Sequence, residues 1–188
     1  MSLKRITAPT LLAVSLAQAK AHLRVDSTDE DALITIMITA ATEAAEQATG
    51  RVIMPQAWQL TLDAFPAAFE LTRPPVNAIT SVQYTDTAGA VQTLASSLYT
   101  LDNASDQGFA YLVPAYCTEW PDTREQVNAV SVQYTCGYAS AALVPAPVQS
   151  WILLQVGAMF ENRQAEGKAQ TYSLGFADRL LDRYRVWG

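Results

Sequence analysis

The residues that could do chemistry are few, and their spacing does not favour it. His22 is the single histidine of the chain. A hydrolytic triad needs such a base beside a nucleophile in motif context, and none accompanies it, so His22 is expected on a helix surface. Carboxylates pair at Asp26/Asp29 and Asp178/Asp182. The first pair belongs to a turn and the second is an i,i+4 helical pair beside arginines, so neither is expected to act as an acid–base couple. The run Asp29-Glu30-Asp31 lacks the alternate ligands, mid-loop glycine and closing glutamate of a calcium loop. It reads instead as favourable charge in a first helical turn behind a Thr28 cap. Cys117 and Cys136 stand far apart with no second pair, which points to two free thiols rather than a disulfide or a zinc site. No glycine-rich loop opens a helix, so no phosphate cradle is expected. Trp58, Tyr84, Tyr99, Tyr111 and Tyr134 alternate along strand-like segments, a pattern shared by glycan-binding faces and by ordinary sheet cores; the core is the preferred reading. No catalytic, cofactor-binding or metal-ligating residue is therefore expected.

The elements that carry these residues are clearer. The chain has 188 residues, half of them apolar, with 16% charged and a formal net charge of −6. That suits one domain with a real core, excludes a charge-rich disordered chain, and argues against a protein that grips duplex phosphates. No run is long and apolar enough to span a membrane. Near the N-terminus, Lys4-Arg5, an apolar stretch and Ala17-Gln18-Ala19 imitate a secretion signal. Pro9, Thr7 and Thr10 interrupt that stretch, and Ser15 with Gln18 forms a capping box, so a folded helix is expected. The opening Met-Ser-Leu is expected to be an appendage to the native sequence.

A second, longer helix should end at Gly50, with Leu33, Ile34, Met37, Ala41, Ala44, Ala45 and Ala48 on one stripe and Ile36 and Ile38 off it. From residue 55 the period falls to two. Strands are expected at 58–62, 69–71, 79–85, 91–94, 99–101, 111–113 and 127–136. Ser-Val-Gln-Tyr-Thr occurs at 81–85 and again at 131–135, read as two strands that are neighbours in one sheet. Pro147 opens a third, almost wholly apolar helix, and 177–187 is helical in period with Leu180, Leu181 and Tyr184 on one side. The fold class is α+β: a helical framework of two N-terminal helices, a long third helix and a short C-terminal helix, with an inserted antiparallel β-sheet lobe. The expected organisation is one domain over 1–188, made of a helical hairpin at 15–50, a β-rich insertion at 55–138 and C-terminal helices at 145–188.

Several strings in this order resemble the head–tail connector proteins of tailed bacteriophages. Residues 16–26, Leu-Ala-Gln-Ala-Lys-Ala-His-Leu-Arg-Val-Asp, are similar to that family's L-x-x-A-K-x-H-L-R-V helix. Asp29-Glu30-Asp31-Ala32-Leu33-Ile34 resembles the acidic turn and long helix, and Ala48-Thr49-Gly50-Arg51 its ending. Pro55-Gln56-Ala57-Trp58, Arg73-Pro74-Pro75 and the segment 130–138 look like the β insertion of the longer branch. Val144-Pro145-Ala146-Pro147-Val148 with Glu161-Asn162-Arg163 resembles the third helix, and Leu180-Leu181 with Tyr184-Arg185 the closing segment.

The resemblance implies a non-enzymatic ring of about twelve copies under the portal, completing the DNA-filled head and joining it to the tail or the next adaptor. DNA would pass through the channel without sequence-specific binding, an acidic ring repelling phosphate. Assembly would take place in the host bacterial cytoplasm and end in the virion neck, with no secretion, no membrane and no cofactor. Residues expected at subunit or portal contacts are Ile36, Ile38, Arg163, Arg179, Arg183, Tyr184, Arg185 and Trp187. Two alternatives stay open at the level of sequence: a tail or neck assembly factor that is monomeric, and a secreted ligand- or glycan-binding module.

Overall fold

In a computed structural model, which describes residues 1–105, 108–163 and 175–186, the chain divides into two units. Met1–Pro9 and Pro55–Gly137 form a β unit; Thr10–Met54 and Tyr138–Gly188 form a helical one. Trp187, the side chain of Asp178 and the polar stretch after Arg163 lie outside the described residues.

Among its described residues the β unit holds eight strands: β1 (Ser2–Thr7), β2 (Gln56–Leu62), β3 (Phe69–Leu71), β4 (Val76–Thr85), β5 (Val91–Thr93), β6 (Tyr99–Asp102), β7 (Ala110–Pro114) and β8 (Val130–Cys136). They make two antiparallel sheets, β1-β2-β8-β4-β5 and β3-β7-β6. The repeated pentapeptides lie side by side on β4 and β8. Val82 faces Val132, so that Ser81 meets Gln133 and Gln83 meets Ser131. Both valines are buried, as alternation requires. An unanticipated cluster links the two sheets. Phe65 stacks on Trp120 at 4.9 Å and meets the edges of Phe69 of β3 and Tyr84 of β4.

Two strand expectations change. β1 occupies the segment that imitates a secretion signal, with Leu3 opposite Leu60 and Arg5 opposite Trp58. Five of its six residues are exposed, so its own apolar pattern carried little signal. β8 begins at Val130 rather than 127, because Asn128 takes a left-handed φ of 60° while its amide donates to Asp63 Oδ1 at 2.8 Å. A left-handed residue cannot continue a pleated strand.

The helical unit contains α1 (Leu16–Leu23), α2 (Asp31–Thr49), α3 (Ala146–Glu161) and α4 (Gly175–Arg179), with 3₁₀ turns at Ala141–Leu143 and Asp182–Tyr184. The capping box starts α1: the Gln18 amide donates to Ser15 Oγ and the Ser15 amide to Gln18 Oε1. The Thr28 cap does not form. Glu30 occupies the N-cap position of α2 without a side-chain capping bond, and Thr28 contributes only its carbonyl, to the Asp31 amide. Ser27 and Asp29 bond each other, and Asp31 is drawn to Lys20 Nζ at 2.7 Å. Gly50 closes α2 at φ 71°, its amide donating to the Glu46 carbonyl. The core gathers Ala19 of α1, Ile34, Met37, Ile38, Ala41 and Ala45 of α2, and Val148, Trp151, Ile152 and Val156 of α3.

Two helical expectations are corrected here. Ile38 is wholly buried in this core, while Ala44 and Ala48 are exposed, so the inward stripe of α2 is rotated toward Ile38, Thr42 and Thr49. The last segment is not one helix over 177–187. α4 stops at Arg179, and a 3₁₀ turn follows because Leu181 is turned into the core, leaving 1% of it exposed.

Candidate functional site

His22 sits in α1, on the face turned to α3. It lines a shallow cleft of about 410 Å³ with Leu23, Arg24, Gly157, Phe160 and Glu161. An imidazole, a guanidinium and one carboxylate meet there, with no hydroxyl or thiol among the lining side chains to serve as nucleophile. Gly157 lets α3 approach His22 closely, since a Cβ at that position would sit 3.4 Å from Nε2. Among the described residues, no three His, Cys, Asp or Glu side chains gather as a metal site. Cys117 is exposed and Cys136 buried, both free thiols.

The strand aromatics are mostly used inside the β unit. Tyr134 is fully buried and its hydroxyl pKa is pushed up, first by desolvation. Trp58 lies under the Arg73 guanidinium, 5.0 Å from the ring centroid. Tyr84 belongs to the Phe65 cluster. Tyr99 is half-buried, and burial also raises its pKa. Tyr111 is the outlier at 40% exposed. These side chains do not form a continuous aromatic face of the kind a glycan platform needs.

The residues expected at partner contacts separate into four groups. Ile36 is 65% exposed on α2, whereas Ile38 is fully buried and is removed from the interface set. Arg163 lies over the Phe160 ring at 4.5 Å and its Nη2 bonds Glu30, tying the end of α3 to the start of α2. Arg179 and Arg183 are exposed. Tyr184 and Arg185 are half-buried in a tail folded onto its own unit. The Tyr184 carbonyl accepts from Arg51 Nε at 2.6 Å, and the Val186 amide donates to the Thr49 carbonyl at 2.8 Å. Arg185 lies 3.5 Å from Asp182.

Sequence reasoning missed two buried charges, Glu46 and Arg51. Glu46 Oε1 accepts the Ile53 amide at 2.7 Å, so both groups pin chain leaving α2. Their signal was present but ambiguous, since a glutamate and an arginine flanking a helix stop are usually solvated. Also missed was a row across the outer face of the three-stranded sheet, where Tyr111 stands between Glu70 and Asp102.

Residues 13–100 match the family of phage gp6-like head-tail connector proteins. No curated protein matches the chain in sequence. Among solved structures, a chain from the virion of a native gene transfer agent (GTA) particle shares the fold at a TM-score of 0.79 and 23% identity, covering 100% of this chain and 97% of its own. A chain from the neck of an empty GTA particle computed with C6 symmetry has a TM-score of 0.79 at 24% identity, with the same coverage. One from the neck of a native GTA particle computed with C12 symmetry has a TM-score of 0.76 at 22% identity, again over 100% and 97%. No helix among the described residues is long and apolar enough to cross a membrane. Residues 13–100 thus match the model of the phage gp6-like head-tail connector family, and the fold is shared along the whole chain with the GTA particle chains.

Proposed function

We propose that this chain is a structural protein of a virion neck, acting by contact rather than catalysis. In this reading about twelve copies close into a ring beneath the portal, complete the filled head and present a surface to the tail or next adaptor. DNA passes through without sequence-specific binding, and assembly takes place in the host bacterial cytoplasm. The observation that carries the reading is the fold shared over 100% of the chain with a chain from a neck computed with C12 symmetry. The family match over 13–100 and the absence of a nucleophile beside His22 support it. A glycan-binding module is disfavoured because Trp58, Tyr84 and Tyr134 are covered by neighbouring side chains.

The test is the mass of the purified chain by light scattering over a range of concentrations, with negative-stain images and a binding assay against its portal protein. Closed rings of one size, or portal binding that yields them, are the expected result. A strict monomer that also fails to bind the portal overturns the reading.

A further inference from the structure

The outer face of the three-stranded sheet carries an arrangement that the core does not require. Inward, Phe69, Leu112 and Leu101 form one row, and Leu71 and Ala110 the next. Outward, the register places Glu70, Tyr111 and Asp102 side by side on β3, β7 and β6. Both carboxylates are exposed, and Tyr111 keeps 40% of its surface open between them. Cross-strand neighbours sit about 5 Å apart, so the three side chains form one continuous acid–aromatic–acid strip. Among the described residues Glu70 has no hydrogen-bond or ion-pair partner. Asp102 uses Oδ1 alone, accepting the Ala104 amide at 3.2 Å.

The same chain shows what such a strip is suited to hold. In the helical unit, Arg163 lies on the Phe160 ring and bonds the Glu30 carboxylate, so a ring and a carboxylate together fix one guanidinium. The outer sheet face offers a ring with two carboxylates and no cation. Elsewhere the chain carries the complementary set: Phe176, 56% exposed, is followed by exposed Arg179 and Arg183, neither of which has an ion-pair partner among the described residues. In a chain of net charge −6, copies that associate must bring cations to their contacts to avoid repulsion. A head-to-tail ring requires two different, mutually complementary patches on every copy.

We propose that the Glu70–Tyr111–Asp102 strip of one copy receives the Arg179 and Arg183 side chains of a second copy. The proposal rests on the ring reading and names a contact within it. Two charge reversals test it on the full chain: Glu70→Lys with Asp102→Lys, and Arg179→Glu with Arg183→Glu. Each alone is expected to raise the concentration for half-association by about tenfold or more. Mixed in equal amounts they restore it, because every contact in an alternating ring is again between opposite charges. Restoration on mixing supports the proposal. Association untouched by either reversal, or lost and not restored, overturns it while leaving the ring reading standing.

If the wild-type chain stays monomeric, disulfide trapping decides the contact instead. In a Cys117→Ser background, Tyr111→Cys with Arg183→Cys is expected to give cross-linked ladders under mild oxidation. Val91→Cys with Arg183→Cys, using an exposed residue outside the expected contact set, serves as the control. Ladders no stronger than the control, or capture only with a different neck protein, overturn the proposal.

Discussion

Ile36 and Ile38 are two residues apart on α2 and chemically identical, yet the structure assigns them opposite roles. Ile38 has no exposed surface and packs in the core shared by α1, α2 and α3. Truncation to alanine removes three carbons, about 2.4 kcal/mol of transfer energy, and a residual cavity brings the loss to about 3–4 kcal/mol. For a protein of this size that lowers the melting temperature by about 6 to 16 °C. Ile36 is 65% exposed, so its truncation forfeits only about a third of the same transfer term. Alanine's better helix propensity returns about 0.4 kcal/mol, leaving a net change within about 0.5 kcal/mol. The assay is urea and thermal unfolding of dilute protein followed by helical ellipticity, repeated at high concentration. Ile38→Ala should be destabilised at every concentration, and Ile36→Ala should match wild type when dilute. A loss above about 1.5 kcal/mol for Ile36→Ala, or below about 1 kcal/mol for Ile38→Ala, would refute the assignment of faces.

Other perturbations probe the ends of α2 and the β unit. Gly50→Ala should cost about 1 kcal/mol, since a left-handed φ of 71° disfavours a Cβ, while Gly50→Asn costs less; unfolding midpoints separate them. Crowding is not the cause there, because the nearest neighbour, Val186, would be 3.7 Å from the new Cβ. Arg51→Gln removes the donor to the Tyr184 carbonyl, and trypsin should then cut after Arg183 several-fold faster than in wild type. Asp86 is held below its ordinary value of 3.8 by the Gln92 side chain and by the Ala90 and Ala88 amides. A depressed folded pKa means that its contribution to the turn is complete above the ordinary value and fades as pH falls through the folded one. Amide resonances of Ala88 and Ala90 should therefore shift only in the acid range, and in Asp86→Asn they should not follow pH.

Local rules made much of the fold readable. The capping box at Ser15, the glycine stop at Gly50 and the period-two segments depend on neighbours in sequence; the first two sit where expected, and the strands do so apart from their ends, β4 starting at Val76 and β8 at Val130. What was hidden depends on distant chain. β1 earns its strand by pairing with β2, not by alternation, and its exposed residues gave a signal-like run instead. Ile38 was misplaced because α2 packs against both α1 and α3, so its buried arc is wider than one stripe and includes threonines. The C-terminal period suggested a continuous helix, but Leu181 is buried while Arg183 and Asp182 stay exposed, which a 3₁₀ turn satisfies. Of the residues expected at partner contacts, Ile36, Arg179 and Arg183 are exposed. The Glu70–Tyr111–Asp102 strip was not, since its members lie on three strands whose register no local pattern states.

The engaged charges of the helical unit serve its architecture. The buried or clasped ions each secure a chain segment: Glu46 holds Ile53, Arg51 holds the tail, Lys20 holds Asp31 and Arg163 holds Glu30. Those bonds fix where helices begin and end, and a charge so engaged is costly to redeploy toward a ligand. The strong shift at Tyr134 likewise arises from burial inside a sheet. Among the outward-facing residues are Ile36, Phe176, Arg179, Arg183 and the acid–aromatic strip. These are the residue types that anchor protein interfaces, an aromatic or aliphatic centre with arginine beside it. In the proposed ring, the engaged charges keep each copy rigid while the exposed strip and arginines meet across the contact.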